Sequence, residues 1–105
     1  MTTDMTMPAS GNAFVQQKGD SHSPVIQPGE WVEIDPDVTM FNGSGVYLTD
    51  WKHFEPRPNY PRRCPQLRRL AYIDGELHSV PYNPVIPSFK VNVDDLLIGG
   101  KAVGY

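Results

Sequence analysis

Apolar residues along this chain occur in short runs, and several runs alternate with polar residues. In Trp31–Asp35, apolar and acidic side chains alternate with period two, which is typical of a strand with one buried face. Comparable runs predict further strands, which start at 13, 45, 67, 76, 90 and 96. No segment of ten residues has a helical period. The pattern therefore predicts a mostly β fold with short helical turns.

One turn also fixes which residues share a face. Asp74-Gly75 separates two of the predicted strands, and this dipeptide is the strongest short hairpin signal. A two-residue turn there pairs Tyr72 with Leu77. Side chains alternate along a strand, so Arg68 is predicted to point the same way as Tyr72, toward the more apolar side.

Length and composition bound the domain organisation. The 105 residues suit one domain, and the 11 prolines and 9 glycines favour turns over long helices. Residues 1–11 are predicted to be a flexible lead-in, and residues 12–105 a single domain. Cys64 has no partner for an internal disulfide, and neither a secretory signal nor a membrane-spanning run is visible. These features predict a cytoplasmic protein with no membrane partner.

Charge is distributed unevenly along the chain, whose net charge is −3. Residues 52–69 contain six basic side chains against one acidic side chain, Glu55. Nucleic-acid binding by this segment is one hypothesis, with Trp51, Phe54 and Tyr60 available for stacking. The favoured alternative is a solvated loop, because residues 51–65 contain four prolines and no recognition helix accompanies them. Three scattered histidines and one cysteine lack metal-ligand spacing, so neither a metal nor another cofactor is expected.

Four short motifs, in order, resemble the C-terminal domain of self-cleaving repressors of the LexA, phage CI and UmuD type. Residues 12–36 (NAFVQQKGDSHSPVIQPGEWVEIDP) resemble the family's nucleophile box. Leu67-Arg68-Arg69-Leu70 stands where the family has an apolar residue, the catalytic lysine, a basic residue and leucine. Residues 77–84 (LHSVPYNP) and 97–103 (LIGGKAV) resemble its later strands. Each motif is weak alone, and the four together are fairly specific.

The resemblance implies a LexA-like, signal-peptidase-like β-ribbon fold with a serine–lysine peptidase site. Ser21 takes the position of the nucleophile, and Arg68 takes the position of the lysine that acts as its base. A guanidinium group has a pKa above about 12 and does not give up its proton in a protein. Proteolysis is therefore expected to be absent, and Arg68→Lys is the smallest repair, with weak reactivity of Ser21 as the expected gain. His22 is an alternative base, although adjacent side chains usually diverge.

Three functions follow as hypotheses. The first is a stand-alone, inactive domain that forms homodimers or docks onto a related full-length repressor, in a phage or SOS-type regulatory circuit. Its closing strand, residues 96–103, or the strand beside it is expected in a twofold interface, and the short stretch before Ser21 is expected to leave no room for a DNA-binding domain. The second is an active serine peptidase of the self-cleaving type. The third is a small nucleic-acid-binding protein that uses residues 52–69.

Overall fold

The computed structural model describes residues 11–59 and 62–105 of the chain. Within this described part, seven strands form one antiparallel sheet. The strands are β1 (Ala13–Gln16), β2 (Trp31–Asp35), β3 (Gly45–Trp51), β4 (Gln66–Ile73), β5 (Glu76–Ser79), β6 (Phe89–Lys90) and β7 (Leu96–Gly104). The prediction of a mostly β fold is confirmed. The predicted flexible lead-in lies outside the described residues except for Gly11.

The hairpin between β4 and β5 has the predicted turn and register. Asp74 and Gly75 have φ angles of 52° and 80°. Two successive positive φ values match the twist of the flanking strands, and glycine adopts them at no steric cost. Tyr72 pairs with Leu77, as predicted.

Two strands are shorter than the sequence pattern suggests. β1 ends at Gln16, because the chain turns at Gly19, where φ is 102°. β6 has only two residues, and Val93–Asp95 forms a 3-10 turn instead of a strand. The side chain of Asn92 accepts a hydrogen bond from the backbone N–H of Asp94, and such a cap favours a helical turn over an extended chain.

The order of strands across the sheet is β1-β2-β7-β3-β4-β5-β6. β7 therefore lies between β2 and β3, and Lys101 pairs with Asp35 on one side and with Tyr47 on the other. Both neighbours of β7 use its hydrogen-bonding groups, so β7 is an inner strand. The twofold interface expected at this strand or the strand beside it stays a prediction. The edges of the sheet are β1 and β6.

Both faces of the sheet carry an apolar cluster. Val46 and Tyr47 are consecutive in β3, yet they belong to different clusters because side chains alternate across a strand. The first cluster consists of Ile26, Val32, Ile34, Val46 and Leu67. The second consists of Tyr47, Leu70, Leu77, Val91 and Leu96. The sheet is therefore packed on both faces.

The two clusters place the arginines of β4. Arg68 pairs with Tyr47 and shares the face of the second cluster, as its predicted alternation with Tyr72 requires. Arg69 shares the opposite face with Leu67 and the first cluster. In the part of the chain that the structure describes, no helix is both long and apolar enough to cross a membrane.

Candidate functional site

The turn at the position of the predicted nucleophile follows β1. It is closed locally by a 3.1 Å hydrogen bond from the backbone N–H of Ser23 to the carbonyl of Asp20. Asn83 also holds it from outside: its backbone N–H donates to the Ser21 carbonyl and its side-chain amide to the Asp20 carbonyl, each at 3.0 Å. Two of the four sequence motifs therefore meet in space, since Asn83 belongs to the motif of residues 77–84.

Ser21 has a hydrogen-bond partner that cannot act as a base. Its hydroxyl accepts a 3.3 Å hydrogen bond from the side-chain amide of Gln17. Gln17 is buried, and the same amide group also donates to the Gly19 carbonyl at 3.2 Å. A carboxamide does not take a proton from a hydroxyl group. Ser21 faces a cavity of about 280 Å³, and within the described residues it has no lysine, histidine or carboxylate as a hydrogen-bond partner.

His22 is a structural residue in this fold. Its side chain is only 2% exposed, and its Nε2 lies 2.9 Å from the Leu67 carbonyl oxygen. A carbonyl only accepts, so Nε2 carries a proton, while Nδ1 accepts the backbone N–H of Tyr82 at 3.5 Å. Both ring nitrogens are engaged by backbone groups. His22 is therefore not positioned to take a proton from Ser21.

The environment of His22 keeps it neutral. Burial lowers the pKa of the imidazole below its usual value of 6.5, although the hydrogen bond to Leu67 opposes this shift. The charges of Arg68 and Arg69 lower the pKa further. The neutral imidazole satisfies both backbone partners, whereas the protonated form places a second donor against the Tyr82 N–H.

Arg68 lies in a different environment from Ser21. Its guanidinium carbon is 5.1 Å from the centre of the Trp51 ring and 5.6 Å from that of Phe89. One nitrogen donates to Gln66 Oε1 at 3.1 Å, and no carboxylate within the described ranges forms an ion pair with the group. Burial lowers the pKa of Arg68, but a guanidinium remains charged at physiological pH. Arg68 is thus a half-buried cation with aromatic contacts and no anionic partner.

The structure does not bring Ser21 and Arg68 into contact. They line two separate cavities, and Cys64 and Gln66 line both. No hydrogen bond or ion pair joins the two side chains in the described part of the chain. The positions that the resemblance assigns to a nucleophile and its base are present, but they do not form a hydrogen-bonded pair.

A second arrangement around Arg69 was missed by sequence reasoning. The guanidinium carbon of Arg69 lies 4.4 Å from the centre of the Tyr82 ring, and the Tyr82 and Tyr105 hydroxyls are 2.8 Å apart. Burial raises the pKa of Tyr105 to about 12, and the contact with Tyr82 adds to this effect. The ring of His22 packs edge-on against Tyr82 at 5.9 Å. These residues are far apart in sequence, so no local pattern could have indicated the cluster.

The basic loop that follows β3 is fastened to that strand. Arg63 forms an ion pair with Asp50 at 3.5 Å and also donates to backbone carbonyl oxygens at Trp51 and Lys52. Its guanidinium lies over the ring of Phe54 at 5.4 Å. This part of the predicted long loop is ordered by specific contacts. Tyr60, proposed as a stacking residue, lies outside the described residues.

A second cavity of about 280 Å³, open to solvent on one side, lies between the anchored loop and the sheet. Three arginines, Arg57, Arg62 and Arg68, line it together with Trp51 and Phe54. Sequence reasoning identified the basic segment but assigned Arg68 to the peptidase site.

In comparisons with known proteins, no family matches the chain and no curated sequence is significantly similar to it.

Proposed function

We propose that this chain is a proteolytically inactive counterpart of the C-terminal domain of LexA-like repressors and acts as a protein-interaction module. The observation that carries the proposal is the environment of Ser21, whose hydroxyl accepts a hydrogen bond from the Gln17 amide and, among the residues that the structure describes, has no hydrogen bond to a basic group. A serine hydroxyl needs an adjacent base to become a nucleophile. Within the described residues, His22 is engaged by the backbone and Arg68 lies beside Trp51. Lys18 lines the same cavity as Ser21, but its ammonium group donates to Gln16 Oε1.

Self-association is the activity that remains for such a domain, and β1 is the edge best suited to it. Its four residues (AFVQ) contain no charge and no proline, and within the described residues β1 pairs only with β2. Natural edge strands are usually protected by charges, prolines or bulges, because an open edge pairs with other strands. The opposite edge, β6, is only two residues long (Phe89–Lys90). It includes a lysine, and a proline, Pro87, lies just before it.

The proposed partner is a second copy of the chain, joined through antiparallel pairing of β1 about a twofold axis. A related full-length repressor that presents the same edge is an equivalent partner. In this proposal the protein works in the cytoplasm, in a regulatory circuit of the phage or SOS type. Trp31 lies opposite Gln16 at the end of β1 and is 58% exposed, which adds apolar area beside the edge.

Sedimentation velocity tests the association. We expect the wild type to form dimers at tens of micromolar and Phe14→Lys, which places a charge on the edge, to be monomeric. Val85→Lys is the matched control, because Val85 is 81% exposed and lies outside the strands. Circular dichroism verifies that both variants stay folded. A monomeric wild type at high micromolar concentration, or a dimeric Phe14→Lys, argues against the proposed interface.

A serine-directed covalent probe, read out by intact mass, tests the absence of catalysis. We expect no labelling of the wild type, with Ser21→Ala as the blank. The arrangement around Arg68 changes the expectation for Arg68→Lys, because a lysine there points to the cavity shared with Trp51 and not toward Ser21. We expect that variant to stay unlabelled too. Strong Ser21-dependent labelling of the wild type identifies an active peptidase and refutes the proposal.

A further inference from the structure

The cavity between the basic loop and the sheet has a charge imbalance that the fold itself does not use. Of the three arginines that line it, Arg68 is half-buried, and Arg57 and Arg62 are exposed. Two carboxylates, Asp50 and Glu55, also line it, but Arg63 already neutralises Asp50 through an ion pair. Positive charge is therefore in excess around this cavity.

Arg68 is the half-buried cation of the cavity, and most of its hydrogen-bond donors are unused. A guanidinium has five N–H donors, and one hydrogen bond of Arg68, to Gln66, is made by the protein. The rings of Trp51 and Phe89 restrict the plane of the guanidinium. Stacked arginines of this kind are pre-organised, so little side-chain entropy is lost when the free edge binds an anion. Removing a cation from water without an anionic partner is costly, and a bound anion reverses that cost.

We propose that Arg57, Arg62 and Arg68 form a binding site for a phosphate group, carried by a nucleotide or by a single nucleic-acid strand. Arginine matches phosphate oxygens with paired N–H groups, and several arginines together suit a group with more than one negative charge. A carboxylate has two oxygens and a single charge, and one arginine is enough to bind it. The volume of about 280 Å³ is at the lower limit of small-ligand pockets, so the cavity takes one phosphate with a small attached group.

This site is separate from the proposed dimer edge, because no residue of β1 lines the cavity. Binding of phosphate therefore neither requires nor contradicts self-association through that edge. The two proposals also fail separately, since the experiments use different variants and different readouts.

Nuclear magnetic resonance of the 15N-labelled chain provides the test, because the two tryptophans report on different places. Trp51 lines the cavity, so its indole N–H signal reports on that side of the sheet, whereas Trp31 is on β2 and serves as an internal control. Inorganic phosphate, a nucleoside 5′-monophosphate, a short oligothymidylate and acetate are titrated at equal ionic strength. We expect a saturable shift of the Trp51 signal with the phosphate-bearing probes, no shift of Trp31 and weaker binding of acetate.

Three variants separate a specific site from general attraction. Arg68→Met and Arg57→Met are each expected to weaken phosphate binding at least about tenfold, the size of a lost charge-assisted hydrogen bond. Arg57 is exposed, so its variant keeps the test informative if Arg68→Met does not fold. Arg69→Met, the same change one position along on the opposite face, is expected to bind within about twofold of the wild type.

Some outcomes of these titrations distinguish the possible sources of the phosphate, and others contradict the proposal. Tighter binding of the mononucleotide identifies a nucleotide site, and tighter binding of the oligothymidylate with a steep salt dependence identifies a nucleic-acid strand. Equal binding of all phosphate-bearing probes identifies phosphate alone as the ligand. A non-saturable Trp51 shift, tighter binding of acetate, or unchanged affinity in both Arg68→Met and Arg57→Met overturns the proposal.

Discussion

Arg68 and Arg69 are consecutive residues of β4, and both lie over aromatic rings, yet their surroundings differ. Arg69 covers Tyr82, which is hydrogen-bonded to Tyr105 and packed against His22. Arg68 lies beside Trp51, and its face opens into a cavity. One arginine completes a packed cluster, while the other keeps unused hydrogen-bond donors.

The difference comes from what covers each face of the sheet. On the Arg69 face, the turn after β1 and the segment at Tyr82 and Asn83 are joined by hydrogen bonds from the backbone and side-chain amides of Asn83. On the Arg68 face, Arg63 holds the basic loop to β3, and a cavity lies between the loop and the sheet. Alternation of side chains along a strand thus gives two identical residues different roles.

His22→Ala tests the packed face and has the largest expected effect. We expect a loss of about 3 kcal/mol in the free energy of unfolding, because the Leu67 carbonyl loses its partner and a cavity opens beside Tyr82. Urea denaturation measures the loss. His53→Ala is the control, since the His53 side chain is 85% exposed, and its change should stay within about 0.5 kcal/mol. A loss below about 1 kcal/mol for His22→Ala contradicts the structural role.

The pH dependence of stability tests the same residue with an intermediate effect. The folded-state pKa of His22 is lowered, so the unfolded chain takes up a proton at a higher pH than the folded chain does. Stability from this group is complete above pH 6.5 and falls as the pH drops from 6.5 toward the lowered pKa. The slope in that window is at most about 1.4 kcal/mol per pH unit.

Urea denaturation of the wild type and of His22→Gln between pH 7.5 and pH 5 isolates this contribution. We expect the stability difference between the two proteins to shrink as the pH falls, because glutamine does not titrate. His78→Gln is the control, since the His78 ring contacts the Glu76 carbonyl oxygen at an exposed position, away from the buried contacts of His22. A difference that stays constant over this range is inconsistent with a buried, neutral His22.

The smallest expected effects are those of Arg69→Met and Arg68→Met on the free energy of unfolding, and they compare the two arginines directly. Arg69→Met should lower the free energy of unfolding by about 1 kcal/mol, the size of a partly desolvated cation–π contact with Tyr82. Arg68→Met should change it by less than about 0.5 kcal/mol, because the lost contacts with Trp51 and Phe89 are offset by removing a half-buried charge without an anion. Thermal and urea denaturation of both variants provide the comparison. The reverse order contradicts the assignment of packing to Arg69 and binding to Arg68.

Much of the local structure was predictable, because it depends on neighbouring residues. The alternation in Trp31–Asp35 and the turn at Asp74-Gly75 specified two strands and a register that the structure confirms. The candidate site was predictable only in part. Sequence reasoning selected Ser21 and Arg68 by position within motifs, and it had no means of showing that Gln17 binds the serine hydroxyl.

The sequence by itself determined the class of fold, the turns and the side of β4 on which Arg68 lies, because turn preferences and side-chain alternation act over a few residues. Only the tertiary structure decided that β7 lies between β2 and β3, that both faces of the sheet are packed, and that His22 binds the Leu67 carbonyl. It also decided that a cavity lies between the basic loop and the sheet. These features depend on pairing and burial between residues far apart in the chain, where the free energy comes from contacts that no local pattern encodes.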